Sequence, residues 1–517
     1  VGARGVISAG DRQTAEAGAE LLRAGGNAVD ATVAAAFAAF VCELPLCSPL
    51  GGGVCVVERG SSAPVAFDLF SRTPGLGLPP GGRRDFEAVT VNFGAAAQVF
   101  HVGRASVAVP LALPGLLHLH RRYGVRPLES VLAPAIAYAQ GGFTLSPAIA
   151  YVFDILTNIV HRTPEMRALF VDETGRIARS GAALRNRDLA STLDAIARRP
   201  DAVRDLYAEL AREFGPEHGG LFTPEDVATA SVVERAPVTV RHAGWHLATM
   251  PSPSTGGLLV ALGLRLLEGI GRTPHLSRDH VLLVGRVQEA LLAERDDTFV
   301  HRCADPAEIQ ALLSDERLAV ARAKARNNLL GSTTQISAID AEGTAISLTL
   351  TNGEGSGHVL RGTGMIANNL LGEEDLHPRG FHVDPAGKPL STMMAPTLLS
   401  RGADRVALGS GGSNRLRTAI LQVIVGLVEH GLSPDAAVHA PRLHVEIDRA
   451  TKRPKVAFET AGLDRAVVEA VSEAYPHAPA SFPELNLYFG GVHLATLLGG
   501  ELGGVGDGRR GGARIVV

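Results

Sequence analysis

TTQISAIDAEGTAISLTLT, residues Thr333 to Thr351, is the stretch whose reading decides the fold of this chain. Two β-rich, partly alternating runs flank Asp340-Ala341-Glu342-Gly343, which carries the residue types of a tight turn. The pattern predicts a hairpin whose turn of three or four residues sets Thr333 opposite Leu350 or Thr351. A Thr that opens a core strand becomes a nucleophile when it is also a chain N-terminus, because its own α-amine then serves as the base. That use requires a cut between Ser332 and Thr333. On these residues alone a structural Thr is the stronger reading, since Thr is common in strands.

Upstream of the hairpin, GVISA (5–9) reads as a strand, and Asp11 as the cap of a helix over roughly 12–24 that Gly25 and Gly26 stop. A second, Ala-rich helix is expected from about Ala28 to Cys42, apolar nearly all round and therefore buried. LGGGVCVVE (50–58) and APVAFDLF (63–70) read as strands, 111–240 as mostly helical and 279–299 as one long helix. Downstream, 396–400 and 405–409 read as strands, 416–430 and 463–474 as helices, and the remainder as strands. No repeat, low-complexity tract or Pro/Ser-rich linker divides the chain. Strands and helices mix in both halves, so one continuous unit with helix–sheet–sheet–helix layering is expected.

Composition narrows the function. With 49 Lys+Arg against 53 Asp+Glu, the formal charge of −4 over 517 residues argues against a general nucleic-acid binder or a polybasic membrane-surface protein. Hydrophobic residues at 46% and charged residues at 20% describe an ordinary globular chain. Lys is confined to Lys324, Lys388, Lys452 and Lys455, so the basic residues are almost all Arg, as GC-rich bacterial coding produces. Cys42, Cys47, Cys55 and Cys303 lie on apolar segments without the close pairing of a zinc site and read as small buried thiols. Apolar runs such as Ala31–Cys42 fall short of the roughly 20 residues that span a bilayer. The opening VGARGVISAG runs straight into a strand. The expectation is a cytoplasmic protein if Val1 is the start, and a secreted or periplasmic one if a leader has been trimmed.

Four further features carry weaker signals. The glycine clusters GGG (51–53) and GSGGSNR (409–415) offer backbone N–H groups to a phosphate or an oxyanion. Neither matches a P-loop or a dinucleotide fingerprint, so nucleotide binding is a weak reading. PSPSTGG (251–257) reads as a loop before a helix, and His118 and His120 point to different helix faces, a poor metal pair.

Their order along the chain is far more specific than any one of them. GVISAGDRQTAEAGAELLRAGGNAVDATVAAAFA (5–38), LGGGV, PSPSTGG, TTQISAIDAEGTAISLT, GKPLSTMMAPT (387–397), GSGGSNR and HAPRLH (439–444) together resemble the γ-glutamyltransferase family over almost the whole chain. The resemblance implies an N-terminal-nucleophile hydrolase, an α/β protein built as a four-layer αββα sandwich. It implies a precursor that cuts itself into a large subunit, 1–332, and a small one, 333–517. Cleavage then falls between Ser332 and Thr333, and Thr333 becomes nucleophile and, through its freed amine, general base. Thr351 matches the Thr that hydrogen-bonds the nucleophile, and Gly411 and Gly412 match the pair whose amides hold the oxyanion. No metal or organic cofactor is implied. The partners are the two subunits and a small-molecule substrate, with neither nucleic acid nor membrane.

The pocket that grips a glutamyl group departs from the family. Aligning Asp68 and Pro74 puts Phe70 where an Arg holds the substrate α-carboxylate, with Arg72 two residues on and on the same strand face, able to substitute only by reaching from a different spot. Ser391 and Thr392 match the Ser pair on the same carboxylate. Asn352 matches the Asn that holds the substrate amine, though the chain is about two residues shorter just after it. Leu370 stands at the Gln position, Glu373 at the acidic one, and Gln335 where many members have His. From Glu373 to Ser391 the chain is short, so no lid over the pocket is expected. Losing the Arg forfeits a charge-assisted contact of roughly 1.5–3 kcal/mol. The expectation is therefore intact acyl-transfer machinery facing a more apolar pocket and a changed, specialised substrate, cleaved at a C–N or C–C bond. Family branches of that kind occur in lincosamide and pyrrolobenzodiazepine pathways that build alkylproline units. The alternatives are a conventional γ-glutamyl hydrolase/transferase on glutathione-like amides, a cephalosporin-acylase-like amidase, and a non-catalytic scaffold.

Overall fold

The computed structural model describes residues 2–314 and 333–517, apart from 80, 93–96, 173, 269, 271–272, 296–297, 378, 449–450, 452 and 478. Ser332, on one side of the expected cleavage point, lies outside the described residues.

The hairpin forms as the alternation requires. Strands Thr334–Asp340 and Ala345–Thr351 pair antiparallel with Thr334 opposite Leu350, which sets Thr333 opposite Thr351. Gly343, at φ +80°, takes the left-handed turn position, and the Asp340 carboxylate accepts from Thr344 N–H at 2.8 Å. The hairpin occupies the centre of a seven-stranded sheet. The order is Ala513–Val516, Gly5–Ala9, Thr334–Asp340, Ala345–Thr351, Gly52–Glu58, Val65–Leu69 and Val233–Arg235. A second, six-stranded sheet runs Glu501–Val505, Gly491–Leu498, Asp404–Gly411, Thr397–Arg401, Trp245–Thr249 and Val238–His242.

Period-two side chains build the layers. Ile336, Ala338, Ile346, Leu348 and Leu350 point outward into a core shared with helices Arg12–Arg23 and Ala28–Cys42. Ile339 and Ala345 point inward with Val6, Val54 and Val56, meeting Leu398, Ala407 and Ala495 of the second sheet. Helices Thr255–Leu267 and Arg415–Val428 cover that sheet's other face through a third core. The result is the expected αββα sandwich. Both large sheets contain strands from before and from after residue 333, so neither segment builds one of them alone. The sheets are also tied by polar side chains: Ser337 Oγ donates to His493 C=O and Ser347 Oγ to Leu408 C=O. Gln335 joins this network, donating to both serines and accepting from Thr349 Oγ1 at 2.6 Å.

The two most distinctive sequence motifs meet at one point. Asn27 caps the Ala-rich helix in a reciprocal box with Asp30. Asp340, from the hairpin turn, accepts from Ala28 N–H at 3.0 Å. Every residue of that helix is buried, and small side chains allow it: a Cβ on Gly18 would stand 2.7 Å from Ala31 C=O. The GGG run serves packing too, because a Cβ on Gly53 would meet Thr349 C=O at 2.8 Å.

Several element expectations are corrected. The mostly helical reading of 111–240 holds to Thr229, after which Val233–Arg235 and Val238–His242 are strands. The helix expected over 279–299 spans Arg278–Glu294, with a separate turn at Phe299–Arg302. Acids at 296 and 297 would have faced the negative end of the helix dipole. His118 pairs with Glu234 and His120 with the Arg126 carbonyl, in separate directions. The four cysteines are buried and unbonded, and burial pushes their thiols up from the usual range. Among the described residues no helix is long and apolar enough to cross a membrane, and no group of three or more His, Cys, Asp or Glu is placed to hold a metal ion.

Candidate active site

Alternation decides what faces what at the end of the hairpin. Gln335 and Ser337 face the second sheet, and Thr333 continues that row; Thr349 and Thr351 occupy the same face of the partner strand. Opposite them, strand Asp404–Gly411 ends in the turn that opens helix Arg415–Val428. Gly411 is obligatory: a Cβ there would collide with the Thr333 carbonyl oxygen. Gly412, at φ +122°, has a conformation that L side chains rarely adopt. The structure thus brings together Thr333, Thr351, Gly411 and Gly412. The Thr351 hydroxyl accepts from Gly353 N–H at 3.1 Å, which fixes its position.

Thr333 borders a small cleft whose wall includes Glu43, Thr334, His493 and Arg510. Sequence reading did not single out Glu43. It follows the Ala-rich helix, accepts from Thr14 at 2.7 Å and from Thr334, and so anchors the residue next to the nucleophile position. Burial, reinforced by Asp11, raises its carboxyl from 4.5 to about 7. Its one signal in the sequence is an acid set inside the apolar run FVCELPL.

The substrate-binding candidates divide into three groups. Asn352 is buried, and neither its Oδ1 nor its Nδ2 has a hydrogen-bond partner. Such a group costs roughly 1–3 kcal/mol unless something completes it. Glu373 is buried near it, against Gly353 and Asn369. Thr392 is held by the PSPSTGG loop: its N–H donates to Pro253 C=O at 3.0 Å and its C=O accepts from Thr255 N–H at 2.9 Å. Ser391 stays partly exposed beside it.

Phe70 and Leu370 form a different group. Both lie fully buried in the apolar cluster between the sheets, with Leu390, Met394 and Leu416. Arg72 stands apart. Its guanidinium reaches Asp68 through Nη2 at 2.9 Å and Nη1 at 3.3 Å, and also donates to the Phe70 carbonyl. Asp68 is fully buried and takes a second guanidinium, from Arg235, at 3.0 Å. Arg72 thus spends its donors inside the protein, and compensation by Arg72 for the missing Arg, the alternative to a changed pocket, finds no support in this arrangement.

Two helix-flanked sheets, with a Thr entering an inner strand against a glycine turn, define the class of N-terminal-nucleophile hydrolases. Residues 14–517 match the model of the family described as Gamma-glutamyltranspeptidase, and the chain belongs to that family. Among its relatives is the Acylase ACY 1 proenzyme of Pseudomonas sp. (strain SE83), 32% identical over 500 residues that cover 92% of this chain and 86% of that one. Another is the Glutathione hydrolase proenzyme of Escherichia coli (strain K12), 26% identical over 488 residues, covering 85% and 81%. The solved structure of LmbA2991HD shares the fold with a TM-score of 0.79 at 21% identity, over 99% of this chain and 98% of that one.

Proposed function

We propose that this protein is a self-processing threonine hydrolase whose acyl pocket has been rebuilt away from γ-glutamyl recognition, acting on a specialised small molecule such as an alkylproline precursor. The observation that carries this reading is the pair formed by Phe70 and Arg72. The first fills the carboxylate position with an apolar ring, and the second is committed to Asp68. Leu370 extends the apolar wall where the family places a polar partner for the substrate amine.

In this reading the Ser332–Thr333 bond is cut and the chain becomes a large subunit, 1–332, and a small one, 333–517. Thr333 Oγ then attacks the substrate carbonyl carbon while its proton passes to the Thr333 α-amine. Thr351 orients the nucleophile, and the amides of Gly411 and Gly412 hold the oxyanion. Collapse expels the leaving group, which takes the proton from the amine; water repeats the sequence on the acyl-enzyme and restores Thr333. A leaving group that is a stabilised carbanion makes the same steps a C–C cleavage. The acylase and hydrolase names of the relatives support amide hydrolysis as the common chemistry.

The test is anilide release from γ-glutamyl-p-nitroanilide, with Thr333→Ala as the blank. The expected result is protein that splits into two bands yet releases no anilide. Turnover on the order of 1 s⁻¹ or faster, within the ordinary enzyme range, would overturn the changed-substrate reading. A Thr333→Ala chain that still splits would overturn the self-processing one. The unpartnered Asn352 supports the runner-up, a conventional γ-glutamyl hydrolase, because that carboxamide suits a substrate amine.

A further inference from the structure

The cleft beside Thr333 holds a cation that the mechanism above does not use. Arg510 follows Arg509 in the tight turn Gly508–Arg510, and its aliphatic stem lies against Gly491, where a Cβ would stand 2.9 Å from the stem. Its guanidinium reaches the glycine turn. Nη1 is 3.4 Å from where a Cβ on Gly411 would be, and Nη2 is 3.3 Å from the same point on Gly412. Arg509 next to it is locked into Glu459 and Asp507, and Arg442 into Asp507. Arg510 differs: among the described residues its guanidinium makes no ion pair, and its Nε is buried without a hydrogen-bond partner.

The charges around it explain why it stays available. Asp507 is already saturated by Arg442, Arg509 and the Val492 amide. Glu354 attracts Arg510, whereas Arg415, stacked on Tyr488 at 4.1 Å, repels it. Burial lowers the guanidinium to about 10, so it is still charged at neutral pH. The rest of the cleft wall is largely apolar, with Leu46, Ile149, Val152 and Leu487. A lone donor fork at the end of an apolar cleft suits a carboxylate, which takes two parallel N–H bonds from one Arg.

We propose that Arg510 is the substrate-anion anchor of this enzyme, binding a carboxylate that lies close to the reacting carbonyl, closer than in a γ-glutamyl donor. The inference rests on Thr333 as nucleophile and names the substrate class that its pocket accepts: short acyl donors that carry a carboxylate. The carboxylate grip lost at Phe70 is thereby moved across the site, to the side of the oxyanion glycines.

The experiment compares malonyl-, succinyl- and glutaryl-p-nitroanilide with their acetyl, propionyl and butyryl counterparts on processed enzyme, wild type and Arg510→Gln. The expected result is a preference for the short carboxylated donors. Arg510→Gln should erase it by roughly 10–100-fold through KM, the value of one charge-assisted contact, while the neutral donors keep their rates. Equal losses on both series, or a preference that survives the substitution, would overturn the assignment. Malonate binding to the same two proteins by calorimetry separates this inference from the reaction itself. If no anilide is cleaved but malonate binds only with Arg510 present, the reaction reading fails and the anion site stands. If malonate binds equally to both, the anion site fails. The double variant Arg510→Gln/Glu354→Gln distinguishes charge balance inside the fold: restoration of the preference there would also overturn the proposal.

Discussion

Arg72 and Asp68 form a buried ion pair, Nη2 to Oδ2 at 2.9 Å. Removing one partner of a buried pair costs roughly 3–5 kcal/mol because the other charge is stranded. Arg235 also reaches Asp68, so Arg72→Ala is expected to cost less than that. The same substitution should leave kcat/KM of the processed enzyme within a few-fold on any acyl donor it accepts. Urea unfolding and initial rates on one preparation check both statements. A normal stability with a hundredfold rise in KM would make Arg72 a substrate ligand after all.

Glu43 makes stability depend on pH in a defined direction. Its folded carboxyl titrates at about 7 against an ordinary 4.5, chiefly because it is buried. Between these values the folded protein binds more protons than the unfolded chain, so this group's contribution falls as pH rises from 4.5 to 7 and is flat above. The span corresponds to roughly 3 kcal/mol at about 1.4 kcal/mol per pH unit. Glu43→Gln, which never ionises, should therefore gain on wild type by about that amount between pH 4.5 and 8. Denaturant titrations of both proteins across the range measure the difference, and a constant gap would contradict the assignment.

The fold was legible where periodicity and caps spoke together. The alternation of Thr333–Thr351, Asp11 before one helix and the Ala-rich run of the next placed the central sheet and its covering layer. The strands Val233–Arg235 and Val238–His242 were not legible, because the first is short, both lie at sheet edges, and Glu234, Thr239 and Arg241 face outward. At the site, Thr333, Thr351 and the glycine pair could be read as types and spacings. Arg72, Glu43 and Arg510 could not. Glu43 and Arg510 are set by partners far away in sequence, Thr334 and the turn at Gly411, and the carboxylate that takes Arg72, Asp68, also takes the distant Arg235. Spacing carries no information on such meetings.

Asp340 links the hairpin turn to the Ala-rich helix, accepting from Thr344 N–H and Ala28 N–H. Burial raises its carboxyl above the usual range even though both bonds oppose the shift. Asp340→Ala leaves two buried donors without acceptors, at roughly 1–3 kcal/mol each. Thermal unfolding should show a loss of at least about 2 kcal/mol, and Asp340→Asn, which keeps one acceptor, should lose less. Equal losses in the two variants would mean that the carboxylate's charge matters and its acceptor geometry does not.

Gly411 tests the catalytic arrangement itself. A methyl group there would collide with the carbonyl oxygen of Thr333, so Gly411→Ala must displace Thr333, proposed as the nucleophile, the turn at Gly411 and Gly412, or both. Misplacement by about 1 Å is worth on the order of a hundredfold in rate, and one lost oxyanion donor costs a similar amount. In the proposed mechanism self-cleavage uses the same groups, so Gly411→Ala should accumulate as the 517-residue chain on a denaturing gel. Gly508→Ala is the control: a Cβ there meets nothing within 4 Å, and its cleavage should match wild type. Normal splitting of Gly411→Ala would place the oxyanion site elsewhere than the turn at Gly411 and Gly412.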